Sequence, residues 1–352
     1  MRIETDIKLD FSGVLLKPKR STLSSRRSVN LERSFKFRPW LKTSASWQGV
    51  PIMASNMDGV GTFSMARVLQ KYNMLTVLKK HYTLSDWEKA VGDELSLNHI
   101  AVSTGTNTMW DPDATDYKTA KAVLRKWPDI KYICIDVANG YQQNFSDFVK
   151  RVRDDHPEKI IIAGNVITGE MVEQLVISGA DIVKCGIGPG SVCTTRTMTG
   201  VGVPQLSGII ECADAAHGLG GHIIADGGCT VPGDVAKAFG AGADFVMLGG
   251  MLSCHDEAEM ELVDGSYEFY GMSSDRAMTV HGARKDGYRS SEGKQVSMKS
   301  RGPVKDTVIE ILGGLRSACT YIGARRIKDM PKCATFIRCA DTHNRVFDNA
   351  VN

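Results

Sequence analysis

Eight short apolar runs recur along the chain, each followed by a segment with helical spacing, and this alternation narrows the possible folds more than any other feature. The strand candidates occupy 51–55, 74–78, 100–103, 132–136, 160–163, 181–185, 222–225 and 245–248. Helix candidates follow at 62–72, 84–95, 114–127, 141–154, 168–178, 204–217, 231–239 and 304–326. Apolar runs this short, bounded by turn signals, fit strands buried on both faces of a parallel sheet covered by helices. Thr168 and Thr230 are placed to cap helix starts, and a Gly-Ala-Asp step from helix to strand occurs at 179–181 and again at 242–244. Eight such units predict an α/β fold, the (β/α)8 TIM barrel. The 352 residues suffice for one barrel domain over 1–352, with a basic N-terminal arm (about 1–48), a C-terminal extension and long loops after strands six and eight.

A barrel of this kind carries its chemistry on the loops after its strands. The polar and glycine-rich stretches fall on that rim: Asp136-Val-Ala-Asn-Gly140, Gly164-Asn165, Gly186-Ile-Gly-Pro-Gly-Ser-Val-Cys-Thr-Thr-Arg196, Asp226-Gly-Gly228 and Gly249-Gly250. The longest crossovers, 186–203 and 250–303, lie there too, and loops of such length in compact domains are usually functional. Three glycines and a proline between Gly186 and Gly190 exclude helix and packed strand. Cys193 sits in this loop beside the hydroxyls of Ser191, Thr194 and Thr195 and the cation of Arg196, partners that favour a nucleophilic thiolate. A lone cysteine is more often a small turn filler; the place on the rim favours the nucleophile. The glycine pairs after strands seven and eight suit a phosphorylated substrate, because glycine lets backbone amides approach an oxyanion. Glu292, in the excursion after strand eight, is a candidate acid or base, or a surface carboxylate.

Composition excludes other classes. With 43 Lys and Arg against 40 Asp and Glu the net charge is +3, which gives no reason to expect a nucleic-acid partner. No apolar run has transmembrane length, and the N-terminus mixes charge with apolar residues as a signal peptide would not, so no membrane association is expected. The nine cysteines are scattered without Cys-x-x-Cys spacing, which fits a reducing cytoplasm and neither a disulfide framework nor a zinc site. The basic arm reads equally as a solvated cap on the bottom of the fold or as a phosphate contact.

With these residues in view, the chain resembles the IMP dehydrogenase/GMP reductase family. The likeness runs from Leu9-Asp-Phe-Ser-Gly-Val-Leu-Leu-Lys-Pro-Lys-Arg-Ser-Thr22 through the cysteine loop, 186–205, to Thr335-Phe-Ile-Arg338. Three features favour the reductase branch: no room for a regulatory tandem domain after the second strand, a segment between Ser274 and Arg301 too short for the dehydrogenases' mobile flap, and Asp136-Val-Ala-Asn-Gly-Tyr141 as the reductase form of the cofactor motif. The resemblance implies a homotetramer that converts GMP to IMP and ammonia with NADPH through a covalent cysteine thioimidate. It implies Cys193 as nucleophile, with Thr195 and Glu292 moving the proton. GMP positions are matched by Asp226, Gly227, Gly228, Gly249, Gly250, Gly271, Met272, Ser273, Arg289, Ser290, Ser291, Glu292 and Gly293. Cofactor positions are matched by Lys80, Asp136, Val137, Ala138, Ile187, Gly188, Met272, Tyr288, Arg289, Ser317, Ala318, Cys319 and Thr320, with Ser25 and Arg26 reaching a neighbour's cofactor. Gly188, Gly190, Cys193 and Arg196 match ligands of a monovalent cation, K+. Lys79, Gly59, Val203 and Ala283-Arg-Lys-Asp286 depart from the family pattern. The alternatives are an NAD-dependent IMP dehydrogenase and a nucleotide-binding protein without activity.

Overall fold

The apolar runs form a closed barrel. The computed structural model describes residues 1–38, 45–92, 94–106, 115–281 and 290–340. Its strands, in chain order, are β1 (Val14–Leu16), β2 (Arg33–Phe37), β3 (Ala45–Gly49), β4 (Ile52–Ala54), β5 (Leu75–Val77), β6 (Ile100–Thr104) and β7 (Tyr132–Asp136). They continue with β8 (Ile160–Val166), β9 (Ile182–Cys185), β10 (His222–Asp226), β11 (Phe245–Leu248), β12 (Ser266–Tyr270), β13 (Gln295–Lys299) and β14 (Phe336–Arg338). The helices are α1 (Phe63–Leu69), α2 (Leu84–Ala90), α3 (Thr115–Lys126), α4 (Gln143–Asp155), α5 (Gly169–Ile177) and α6 (Thr195–Thr199). Then come α7 (Gln205–Gly218), α8 (Pro232–Gly240), α9 (Asp275–Val280), α10 (Val304–Ile322) and α11 (Met330–Cys333). Strands β4 to β11 pair in parallel in chain order, and β11 closes on β4.

Alternation along each strand sorts the core into two layers. Tyr132 and Cys134 of β7 face the barrel interior with Ile160, Ile162, Ile182 and Ile224, while Ile133 and Ile135 pack outward under the helices. One end of the interior is stoppered by the antiparallel hairpin β2–β3, whose Phe35, Phe37 and Trp47 are buried against Phe245, Tyr132 and their neighbours. Each buried aromatic contributes about 1.5–3 kcal/mol. The arm therefore caps the bottom over part of its length, as one of the two readings of its sequence holds. The extension also returns, because β1 pairs with β14.

The two Gly-Ala-Asp steps acquire a purpose here. Asp181, just before β9, accepts from Arg153 Nη2 at 2.5 Å and from the Ile161 amide at 2.7 Å, and forms an ion pair with Arg38, whose Nε lies 2.7 Å from Oδ1. Asp244, just before β11, receives Arg33 Nη2 at 2.7 Å, His217 Nε2 at 2.8 Å and the Ile223 amide at 3.0 Å. Both aspartates thus tie the hairpin to the barrel. Burial opposes ionisation of Asp244, but the hydrogen bonds from His217 and His222 and the Arg33 charge outweigh it and hold the carboxyl far below its usual range. The same hydrogen bond raises the pKa of His217.

The signs differ. Asp244, depressed in the fold, stabilises fully above its unfolded value of about 3.9 and less as pH falls toward its folded value. His217, raised in the fold, stabilises fully below about 6.5 and less as pH rises through its folded value. Asp244→Asn is expected to cost about 3–5 kcal/mol near neutrality, since it leaves a buried arginine contact unpaired. Thermal unfolding across the pH range should show the gap to wild type shrinking below about pH 4; a gap independent of pH would mean the charge is not what stabilises.

Helix ends differ locally from the sequence expectation. Thr168 makes no side-chain cap; instead the Gly169 amide donates to Glu211 Oε1 at 2.8 Å. Val231, not Thr230, occupies the cap position of α8, and Thr230 bonds Asp234 Oδ2 through both its amide and its hydroxyl. Helix α2 stops at Ala90, short of 95, because Val91 is extended. Helix α10 stops at Ile322, short of 326, where Gly323 takes a left-handed φ of 78°. Among the described residues no helix is long and apolar enough to cross a membrane.

Candidate active site

Continuing the inward alternation past the apolar layers yields a polar top layer. After Tyr132 and Cys134 comes Asp136; after Ile160 and Ile162, Gly164; after Ile182, Lys184; after Ile224, Asp226. Asp136, Lys184 and Asp226 floor a cleft at the carboxyl ends of the strands, walled by 186–193, 227–230, Gly249, Gly250, 271–273 and Glu292. Lys184 Nζ contacts Asp136 Oδ1, and lies 3.4 Å from Asp226 Oδ2 and 3.4 Å from Asn56 Oδ1. Burial would lower its pKa, but Asp136 and then Asp226 outweigh that and raise it. Burial likewise works against the Asp136 carboxylate, and the Lys184 charge and hydrogen bond turn its pKa downward. Gly164 makes room for this lysine, since a Cβ there would stand 2.5 Å from Lys184 Cβ.

The cysteine loop and the segment around Glu292 are stitched together. The Thr194 amide donates to Glu292 O at 2.9 Å, the Lys294 amide to Val192 O at 2.9 Å, and Cys193 and Gly293 form an antiparallel bridge. Gly271 permits this approach, as a Cβ would fall 2.8 Å from Val192 O. The consequence is a side-chain relay. Cys193 Sγ lies 3.2 Å from Thr195 Oγ1, and that hydroxyl lies 2.7 Å from Glu292 Oε2. Cys193 is half-buried, open enough to meet a ligand.

Arg196 corrects the sequence expectation. Its guanidinium does not serve as the cation of Cys193: Nη1 pairs with Asp10 at 2.9 Å and Nη2 donates to Val203 O at 2.8 Å, so it braces the loop against the N-terminal arm. The glycine pairs are also tighter than a bare phosphate cradle requires. Gly227 and Gly228 take φ of 88° and 85°, and a Cβ on Gly250 would stand 2.8 Å from Ser191 Oγ. They let the cysteine loop lie against β10 and β11.

Other expected positions divide into two groups. Asp136, Val137, Ala138, Ile187, Gly188, Met272 and Ser273 line the cleft with Cys193. Ser291 is tied into the adjoining turn, its Oγ accepting from the Asp275 amide and donating to Gly293 O, both at 3.2 Å, and Ser290 is exposed. Lys80 pairs with Asp116 at 3.2 Å, outside the cleft lining. Ser25 and Arg26 are exposed at a short 3-10 turn packed on α10, the helix that carries Ser317, Ala318, Cys319 and Thr320. Cys319 is buried, which pushes its thiol up to about 12, and Thr320 Oγ1 donates to Ser317 O. Within one chain this group does not line the cleft. Tyr288, Arg289 and 283–286 lie outside the described residues. Of the departures, Gly59 has φ 73° with Met260 Sδ where a Cβ would be, and Lys79 sits over the Tyr82 ring at 4.7 Å.

Sequence reading missed Lys184, absorbed into an apolar run, although the alternation Ile182, Lys184 signals it. It also missed a polar cluster behind Met272. There Asp58 Oδ2 accepts from Tyr270 at 2.9 Å and lies 2.6 Å from His281 Nε2, and His281 stacks on His81 with centroids 3.4 Å apart. Burial, then His281 and Lys80, push His81 down to about 4. Among the described residues no group of three or more His, Cys, Asp or Glu could hold a metal, so a cation in the cysteine loop would depend on backbone oxygens.

A family model described as the IMP dehydrogenase / GMP reductase domain matches residues 8–345. A protein of Edwardsiella ictaluri (strain 93-146) named GMP reductase is 57% identical over 357 residues, covering 99% of this chain and 100% of that protein. Proteins of the same name from Yersinia pestis (strain Pestoides F) and Yersinia pseudotuberculosis serotype O:1b (strain IP 31758) are each 57% identical over 353 residues, 99% of both chains.

Proposed function

Because this chain belongs to the IMP dehydrogenase/GMP reductase family, we propose that it is a GMP reductase. In this reading it is an NADPH-dependent oxidoreductase that converts GMP to IMP and ammonia in purine salvage and interconversion. The observation that carries the reading is the continuous contact from Cys193 through Thr195 to Glu292, 3.2 and 2.7 Å, opening on one cleft. The Cys193 thiolate attacks C2 of the guanine ring. The 2-amino group departs as ammonia with a proton delivered by Thr195 and replenished from Glu292, because an amide anion cannot leave at neutral pH. C2 remains bound to sulfur as a thioimidate. NADPH, when bound, supplies the hydride that C2 accepts. The carbon–sulfur bond then breaks, the thiolate keeps the electron pair, and IMP is free to leave.

In this reading Asp226, Gly227, Gly228, Gly249, Gly250 and Gly271 to Ser273 hold GMP, and Asp136 to Ala138 with Ile187 and Gly188 hold the nicotinamide; all of them line the same cleft. Ser25, Arg26 and the 317–320 turn of α10 belong to one surface of the subunit away from that lining. They serve the adenosine end of a neighbour's cofactor in a homotetramer, where arginine's forked donors suit the extra phosphate of NADPH. Carbonyls of Gly188, Gly190, Cys193 and Arg196 offer K+ the oxygen donors such an ion takes, and the ion would steady the loop that presents the nucleophile. Nine free cysteines suit a cytoplasmic setting.

The test is incubation with GMP and NADPH, following loss of the reduced cofactor together with ammonia. One ammonia per cofactor oxidised is expected. Turnover of IMP with NAD instead would identify a dehydrogenase, and binding without turnover a passive nucleotide carrier. Arg26→Ala should raise the KM for NADPH about tenfold or more while leaving those for NADH and GMP nearly unchanged; equal effects on both cofactors would remove Arg26 from phosphate recognition.

A further inference from the structure

The lysine under the cleft joins residues assigned to two different ligands. Asp226 lies on the nucleotide side, Asp136 on the cofactor side, and they project from β10 and β7, with β8 and β9 between them around the barrel. Lys184 rises from β9 between them. Its ammonium has three donors and three oxygen partners: Asp136 Oδ1, Asp226 Oδ2 and Asn56 Oδ1. The lysine side chain is 3% exposed, whereas Asp136 and Asp226 are 29% and 18% exposed, so the cation is sealed below two carboxylates that still face the cleft. Asn165 Nδ2 holds the same Asp226 oxygen at 2.8 Å, and the missing Cβ of Gly164 on β8 leaves room for the first carbon of the lysine side chain, which a Cβ there would approach to 2.5 Å.

We infer that Lys184 is a positioning residue that couples the two ligand sites, so that occupation of one adjusts the carboxylate presented to the other. The inference rests on the GMP reductase reading. One cation shared between two carboxylates cannot satisfy both fully. A nucleotide that hydrogen-bonds Asp226 takes over part of its charge, which shifts the ammonium toward Asp136 and fixes that carboxylate for the cofactor. Linkage makes the effect reciprocal. The neighbouring charges that bear on Asp136 are Lys184 and, more weakly, Lys80; Asn56 adds a hydrogen bond.

The experiment measures the dissociation constant of NADP+ with and without saturating GMP, a pair between which no hydride can pass because the oxidised cofactor has none to give. In the wild type the two constants should differ by about tenfold. In Lys184→Met their ratio should fall to about one, while each ligand alone still binds. The acidic limb of the kcat/KM profile for NADPH should also move up by about one pH unit, since Asp136 has lost its cation. Asp136→Asn cuts the same link from the other end, keeps the test available if the methionine variant does not fold, and should also bring the ratio to about one. A loss of affinity for both ligands with the wild-type ratio intact would mean that Lys184 is merely structural and would overturn the proposal, as would a wild-type ratio of one. Turnover of GMP by the wild type is read separately: its absence removes the reductase reading and the coupling with it, whereas its presence with unchanged ratios removes the coupling alone.

Discussion

Cys193→Ala should reduce kcat by about four orders of magnitude or more, because no other group occupies its place and loss of a covalent nucleophile typically costs that much. GMP should still bind with an affinity within a few-fold of wild type. The glycine pairs, Asp226 and the Gly271 turn, which line the cleft and hold the nucleotide in the proposed reading, do not depend on the sulfur. The backbone bridge between Cys193 and Gly293 also survives the substitution, as it uses no side-chain atom. Single-turnover measurements alongside equilibrium binding separate the two effects. An alanine variant that keeps more than about a hundredth of the activity would falsify covalent catalysis at this residue.

The second large effect concerns the proton. Thr195→Val and Glu292→Gln should each lower kcat by about 10²–10⁴-fold with little change in KM for GMP, the range that a positioned proton donor contributes. Thr195 Oγ1 touches both Cys193 Sγ and Glu292 Oε2, so the threonine is the middle link and neither end can work without it. The double variant should be no more than a few-fold worse than the poorer single variant. Losses that multiply in full would show two separate roles. Ammonia release measured in the same reactions should fall in step with cofactor oxidation; if release persisted while oxidation stopped, the pair would be acting on the hydride step instead.

The barrel was legible because its strands are short, apolar and closely spaced, and β7 and β11 begin and end where the apolar runs do. The cleft was legible from the loops that follow them. What local pattern could not give was the meeting of Thr195 and Glu292 across 97 residues of chain, which depends on the bridge between the cysteine loop and the 292–294 segment. Proximity in sequence also misled: Arg196 stands three residues from Cys193, yet its guanidinium is bound to Asp10, 186 residues away. Lys184 went unread for a different reason. A single lysine in an apolar strand resembles a surface residue until the strand is given two buried faces, and only the inward parity of Ile182 and Lys184 then places it under the cleft. The caps of α5 and α8 failed as expectations because Glu211 takes the first amide of α5, and because Thr230 donates its hydroxyl to Asp234 while Val231 holds the cap position.

The stopper at the foot of the barrel also governs the order in which a ribosome can complete this molecule. Arg33 finds Asp244 across 211 residues, and Phe35 stacks on Phe245 with ring centroids 4.3 Å apart. The hairpin therefore emerges early and waits for its socket, on the order of ten to forty seconds at ordinary rates of synthesis. Throughout that interval Phe35, Phe37 and Trp47 form a sticky, unpartnered surface on the nascent chain, the kind of exposure that chaperones shield. The β1–β14 pairing is later still, since β1 must wait for β14. These early-made segments settle only after distant, later-made partners appear, so vectorial synthesis gives them no head start.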